Sequence, residues 1–154
     1  MGGHPTPDTR CPIQELWEGK GLPTACLLVY PERVGDYRDL RVWQKTRRLT
    51  QILYDVTDRF PHHEIFGLTS QLRRAAVSIG ANLAEGFGRP TDRDTARFIG
   101  YAIGSANEVE HHLTTADDVG YLTTDESESL TETVKVIRSM LIGLQQTVLK
   151  RSSS

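Results

Sequence analysis

Residues 130–148 read LTETVKVIRSMLIGLQQTV, and the spacing inside this stretch decides the fold. Leu130, Val134, Ile137, Leu141, Leu144 and Val148 recur at alternating intervals of four and three. An α-helix makes a turn every 3.6 residues, so this alternation draws one apolar seam along one side of a helix, in the a/d pattern of helices that pack on helices. Thr123, with Glu126 three residues on, opens the helix as a capping box. One seam needs partners, and the preceding sequence supplies three.

Immediately upstream, Phe98, Ala102, Ser105, Val109, Leu113 and Ala116 follow one another at helical spacing. Thr91 and Asp94 form a second capping pair at the start of that helix, and Gly120 closes it. Before it, Leu68, Leu72, Ala75, Ala76, Ile79 and Leu83 make the stripe of a helix that begins near Glu64. Gly86, Gly88 and Pro90 end it with a glycine cap and a breaker. The first helix carries Leu49, Ile52, Leu53, Val56 and Phe60, extended upstream by Leu40 and Trp43. It spans Asp39–Arg59, because Pro61 disfavours helical geometry at Phe60. Links this short make consecutive helices antiparallel neighbours. The expected fold is therefore all-α, an antiparallel up-down-up-down four-helix bundle over residues 37–150, with no strand candidate and no internal repeat.

Residues 1–36 differ from everything that follows. They hold five of the seven prolines, at Pro5, Pro7, Pro12, Pro23 and Pro31, and five of the thirteen glycines. No apolar period runs through them, so they read as a poorly ordered extension, or as sequence upstream of a start near Val34. Residues 151–154 read as a disordered tail. Cys11 and Cys26 both lie in the extension, lack zinc-site spacing and read as free thiols. The N-terminus lacks the basic stretch of a secretory signal, and Met1-Gly2-Gly3-His4-Pro5-Thr6 fits a myristoylation pattern only loosely. With no run of 18 apolar residues, the chain is expected to be cytoplasmic, without a membrane partner.

Net charge is −2 over 154 residues, but it is unevenly spread. Arg38 to Arg97 contains 11 Lys or Arg against 7 Asp or Glu, and Phe98 to Lys150 contains 3 against 8. Such a split suits a polyanion on the basic part, and equally suits head-to-tail contacts between identical subunits. Arg41, Lys45 and Arg48 step by four and three and share a face of the first helix. Arg73 and Arg74 add to them from the second helix. These five are the candidate contacts for RNA or DNA.

Catalytic chemistry is harder to find. A carboxylate-bridged di-metal bundle needs two Glu-x-x-His units and a Glu from each remaining helix. Glu108-Val109-Glu110-His111 offers one unit, helices 1 and 4 contain no histidine, and His62 and His63 precede helix 2. The ligand count fails, so no metal and no cofactor are expected. His111 and His112 diverge by about 100° on a helix and do not share a ligand site easily. Ser78, Ser105 and Thr114 have no His–acid partnership nearby in sequence, and no phosphate loop or zinc-protease motif occurs. Gly86-Phe87-Gly88 fits a helix end better than a phosphate loop. In helix 2, Gly80 sits among small residues and costs about 1 kcal/mol relative to alanine, which points to close approach of another helix or a local bend.

Taken together, several segments resemble the proteins named for intervening sequences in 23S rRNA genes. These are Asp39-Leu40-Arg41-Val42-Trp43, Phe60-Pro61, Glu64, Phe66-Gly67-Leu68, Gln71-Leu72-Arg73-Arg74-Ala75-Ala76-Val77-Ser78-Ile79 and Asn82-Leu83-Ala84-Glu85-Gly86. Gly104-Ser105-Ala106-Asn107-Glu108-Val109-Glu110 and Gly120-Tyr121-Leu122 extend the likeness. The resemblance covers about residues 37–150 and implies a bundle that forms a homopentamer. It also implies kinship with the accessory variability determinant of diversity-generating retroelements, a basic pentamer that binds nucleic acid and a reverse transcriptase. Gly80 stands where that family usually has proline, and this chain is mildly acidic where that relative is basic. The sequence thus favours a non-enzymatic, homo-oligomeric scaffold or adaptor, with RNA, DNA or another protein as partner. Its rival is a metal- or ligand-dependent enzyme built in the bundle core.

Overall fold

A computed structural model describes residues 36–152. The expectations for residues 1–35, including both cysteines, and for Ser153 and Ser154 lie outside the described residues. A 3-10 turn at Tyr37–Asp39 leads into α1 (Arg41–Thr57). A second 3-10 turn at His62–Glu64 precedes α2 (Leu68–Phe87), then come α3 (Asp92–Asp118) and α4 (Thr124–Arg151). α1 packs on α2 and α4, and α3 packs on the same two, so the helices form a ring in which each touches its chain neighbours and the first touches the last. This is the expected all-α four-helix bundle. Among the described residues no helix is long and apolar enough to cross a membrane.

The seam read from residues 130–148 is the buried side of α4: all six of its positions are buried. Leu49 and Leu53 of α1, Leu72, Ile79 and Leu83 of α2, and Ile99, Val109 and Leu113 of α3 are buried with them, each at most 1% exposed. The bundle axis is therefore filled with aliphatic side chains from all four helices. In α1 the buried face is turned from the expected one: Val42, Thr46 and Thr57 are buried, whereas Leu40, Trp43 and Ile52 are only half-buried. Buried threonine is tolerated because Thr46 donates to the Val42 carbonyl at 2.8 Å and Thr57 to the Leu53 carbonyl at 2.6 Å, leaving neither hydroxyl unsatisfied. In α3, Phe98 is half-buried and its neighbour Ile99 takes the core position.

Four helix boundaries depart from the sequence reading, the first at the start of α1, which opens at Arg41 because Asp39 belongs to the 3-10 turn before it. α1 ends at Thr57, short of Arg59, because Arg59 and Phe60 bond back three residues rather than four and tighten the chain toward Pro61. α2 starts at Leu68, not near Glu64; Glu64 stays in the preceding 3-10 turn and caps α2 from outside, its carboxylate accepting from the Leu68 N–H at 2.8 Å. Gly86 is not a cap. It lies inside α2, and a Cβ there would meet the Phe98 Cβ at 2.8 Å, so its bare Cα is what lets α3 approach. Thr95 of α3 seals the contact by donating to the Gly86 carbonyl at 2.8 Å.

The remaining ends follow the sequence. At the close of α3, Gly120 has φ +77, the Tyr121 N–H reaches the Ala116 carbonyl at 2.8 Å and the Gly120 N–H reaches the Asp117 carbonyl at 2.9 Å, a Schellman arrangement. Thr91 caps α3 through the Asp94 N–H, although the Asp94 carboxylate returns to the Thr91 hydroxyl and not to its backbone. The box at α4 is complete: Thr123 accepts from the Glu126 N–H at 3.3 Å, and Glu126 accepts from the Thr123 N–H at 3.1 Å.

Glu126 also receives the Arg59 guanidinium at 2.7 Å, tying the end of α1 to the start of α4. Partial burial alone would raise its pKa. The Thr123 N–H, followed by Arg59, outweighs burial and holds the carboxyl below the ordinary glutamate range. The folded state therefore gives up this proton more readily than the unfolded chain. Its stabilisation is complete above about pH 4.3, the ordinary value, and is lost as pH falls through the lower folded value. Glu126→Gln is expected to flatten that part of the acid limb when urea midpoints are compared at about pH 5 and about pH 3. Equal losses in variant and parent over that interval would place the acid sensitivity elsewhere.

Candidate interaction surfaces

The five cations singled out in the sequence do not come together on one surface. Arg41, Lys45 and Arg48 fall within about 60° of one another around α1. Around α1 they stand about 120–180° from Thr57, which meets Arg73 of α2, so they lie on the side away from α2, and the other neighbour of α1 is α4. The row thus lies on the flank of α1 that turns toward α4. Arg41 and Arg48 are exposed and Lys45 is half-buried.

Arg73 belongs to the opposite flank, where α1 meets α2. Its Nε donates to the Thr57 hydroxyl at 2.7 Å, one terminal nitrogen donates to the Tyr54 carbonyl at 3.1 Å and to Asp58 at 2.7 Å, and the guanidinium lies 4.5 Å from the Tyr54 ring centroid. A guanidinium held by a hydroxyl, a carbonyl, a carboxylate and an aromatic face is a strut between two helices. Gly80 lies on this same flank. A Cβ there would meet the Trp43 Nε1 at 3.6 Å, an ordinary contact, and α2 continues through the position without a break.

Arg74 turns outward beside Arg73 and makes no ion pair among the described residues. It borders a shallow depression over α2 that contains Tyr54, Ile65, Val77 and Ala81, with Glu108 on the α3 side. Tyr54, Ile65 and Val77 are 42%, 45% and 48% exposed, and Phe66, next to Ile65, is 92% exposed. This apolar face was missed in the sequence reading. Its signal was there in Val77, which stands off the buried stripe of α2 among small residues, and in Ile65-Phe66, which precede α2 without joining its seam.

Other polar clusters have structural work. At the end of the bundle, Tyr121 donates to Glu64 at 3.1 Å, lies 3.4 Å from His63 and packs its ring 5.4 Å from Phe60. Glu64 is held below its ordinary pKa, first by the Leu68 N–H and then by Tyr121. Ser105 of α3 donates to Ser78 of α2 at 2.9 Å, and Asn82 donates to the same Ser78. Of the Glu-x-x-His unit, Glu108 borders the depression over α2 and His111 is exposed, while Glu110 between them pairs with Arg138 of α4. His112 is half-buried, and burial, with neighbouring His111, pushes its pKa down against the pull of Glu108. Among the described residues, no three His, Cys, Asp or Glu side chains could hold a metal ion together.

The family model described as 23S rRNA-intervening sequence protein matches residues 38–143, which is α1 through most of α4. The chain belongs to this family. A similar solved structure is described as a protein of unknown function from the S23 ribosomal protein family of Bacteroides thetaiotaomicron, with a TM-score of 0.64 and 24% identity over 68% of this chain and 95% of that one. At that identity the likeness is one of fold. No curated protein matches. The stretch matched to the 23S rRNA-intervening sequence family begins at the 3-10 turn before α1 and leaves out the segment before it.

Proposed function

We propose that this member of the 23S rRNA-intervening sequence family is a non-enzymatic scaffold that assembles with copies of itself and presents the basic row of α1 to RNA or DNA. The observation that carries the reading is the exposed apolar face formed by Tyr54, Ile65 and Val77 over α2, with the 92% exposed Phe66 next to Ile65 in the chain. Apolar residues that cluster on a surface, unlike those scattered singly, mark a place where another molecule sits. The filled axis supports the same reading, since the interior offers aliphatic side chains where an enzyme of this architecture would place its polar groups. The resemblance to the pentameric accessory determinant of retroelements favours a ring of subunits. In such a ring the modest charge of one copy of Arg41, Lys45 and Arg48 is repeated, and avidity strengthens a weak contact.

Val77→Asp places a charge in the middle of the apolar face without touching the core. The variant is expected to keep its helical circular dichroism and lose assembly mass in light scattering coupled to gel filtration. A variant that assembles like the parent would remove the α2 face from the subunit contact.

A further inference from the structure

We propose that the corner between α2 and α3 is a second binding surface, one that takes single-stranded nucleic acid by stacking an unpaired base on Tyr101 and receiving phosphates on Arg93 and Arg97. At this corner the Arg89 guanidinium lies 4.8 Å and that of Arg97 5.7 Å from the centroid of Phe98, and Tyr101 meets the edge of the same ring with centroids 5.5 Å apart. Arginines and aromatics thus alternate over one patch, the combination that grips a single strand through its backbone and its base faces. Phe98 is half-buried and acts as the base plate. Tyr101 is 53% exposed, and its ring is the one left open to a ligand.

Arg93, Arg97, Tyr101 and Gly104 recur at intervals of four, four and three, so they form one row on the outer side of α3, about 16 Å long. Nothing lies within 4 Å of where a Cβ on Gly104 would stand, so the ground beside Tyr101 is open. Arg93 is exposed and makes no ion pair among the described residues. The acids nearby are Glu85, paired with Arg89, Asp94, paired with Arg97 at 3.1 Å, Asp92, paired with Arg151 at 3.5 Å, and the exposed Glu108, which continues the row one turn beyond Gly104. Exposed pairs of this kind contribute little, and a phosphate replaces such a carboxylate at small cost. The patch favours a single strand over a duplex because a duplex keeps its base faces stacked away from the tyrosine ring.

This surface is separate from the α1 row, and it requires no assembly. The test is a fluorescence-anisotropy titration of the full chain at low salt, with a labelled oligothymidine strand and a labelled DNA duplex of equal length. Tyr101→Ala is expected to weaken single-strand binding about tenfold, and Tyr101→Trp to preserve it. Arg93→Glu is expected to weaken it several-fold and to reduce its salt dependence, and neither Tyr101 variant should change duplex binding. If Tyr101→Ala binds the strand like the parent, weakens strand and duplex alike, or if the parent does not bind the strand at all, the proposal is overturned. Duplex binding by the parent and its loss on charge reversal of Arg41, Lys45 and Arg48 report on the α1 row alone, so the two readings fail separately.

Discussion

Ile137→Asp is expected to abolish the cooperative fold. Ile137 is fully buried in the α4 seam, with aliphatic neighbours from the other helices along the same axis. A carboxylate there loses its hydration and finds no built partner, at a cost of several kcal/mol, comparable with the roughly 5–15 kcal/mol by which domains of this size are stable. Ile137→Val removes one methylene and is expected to cost only about 0.5–1.5 kcal/mol. Circular dichroism with urea titration separates the two. A folded aspartate variant of near-parental midpoint would show that the axis is wet or loosely packed.

The second large effect concerns the basic row. Reversing Arg41, Lys45 and Arg48 to glutamate changes the local charge by six units on one flank of α1. Contacts to phosphate release counterions and carry little sequence preference, so duplex DNA is expected to lose affinity by more than about 100-fold at low salt. The oligomer should persist, since the row lies on the flank turned toward α4 and the apolar face lies over α2. Duplex binding that survives the reversal would assign the row to ordinary solvated surface.

The fold was legible because its determinants are local and periodic. The α4 seam, the Thr123–Glu126 box and the Gly120 turn each state their geometry within a few residues, and each stands in the structure as read. Errors arose where a contact from another helix decided the outcome. Gly86 read as a helix end, yet Phe98 and Thr95 of α3 keep it inside α2. Leu40 and Trp43 read as core, but hydrogen-bonded threonines took core positions that polarity alone denies them.

The candidate sites were less legible for the same reason. Arg73 and Arg74 are adjacent in sequence, and only tertiary contacts show that Arg73 braces α1 while Arg74 faces outward. Spacing shows that Arg41, Lys45 and Arg48 share a face, but not that the contact of Thr57 with Arg73 turns that face away from α2. The arginine–aromatic corner of α3 joins Arg89 from beyond the end of α2 to Phe98 and Tyr101, a juxtaposition no single helical period displays.

The central claim is self-assembly, and the most direct measurement is the mass of the unmodified chain by light scattering coupled to gel filtration over a range of micromolar loadings. The expected result is a single species near five times the 17.3 kDa chain mass, unchanged on dilution through that range. A monomer of 17.3 kDa at every loading would contradict it, and with it the assignment of the Tyr54, Ile65 and Val77 face to a subunit contact.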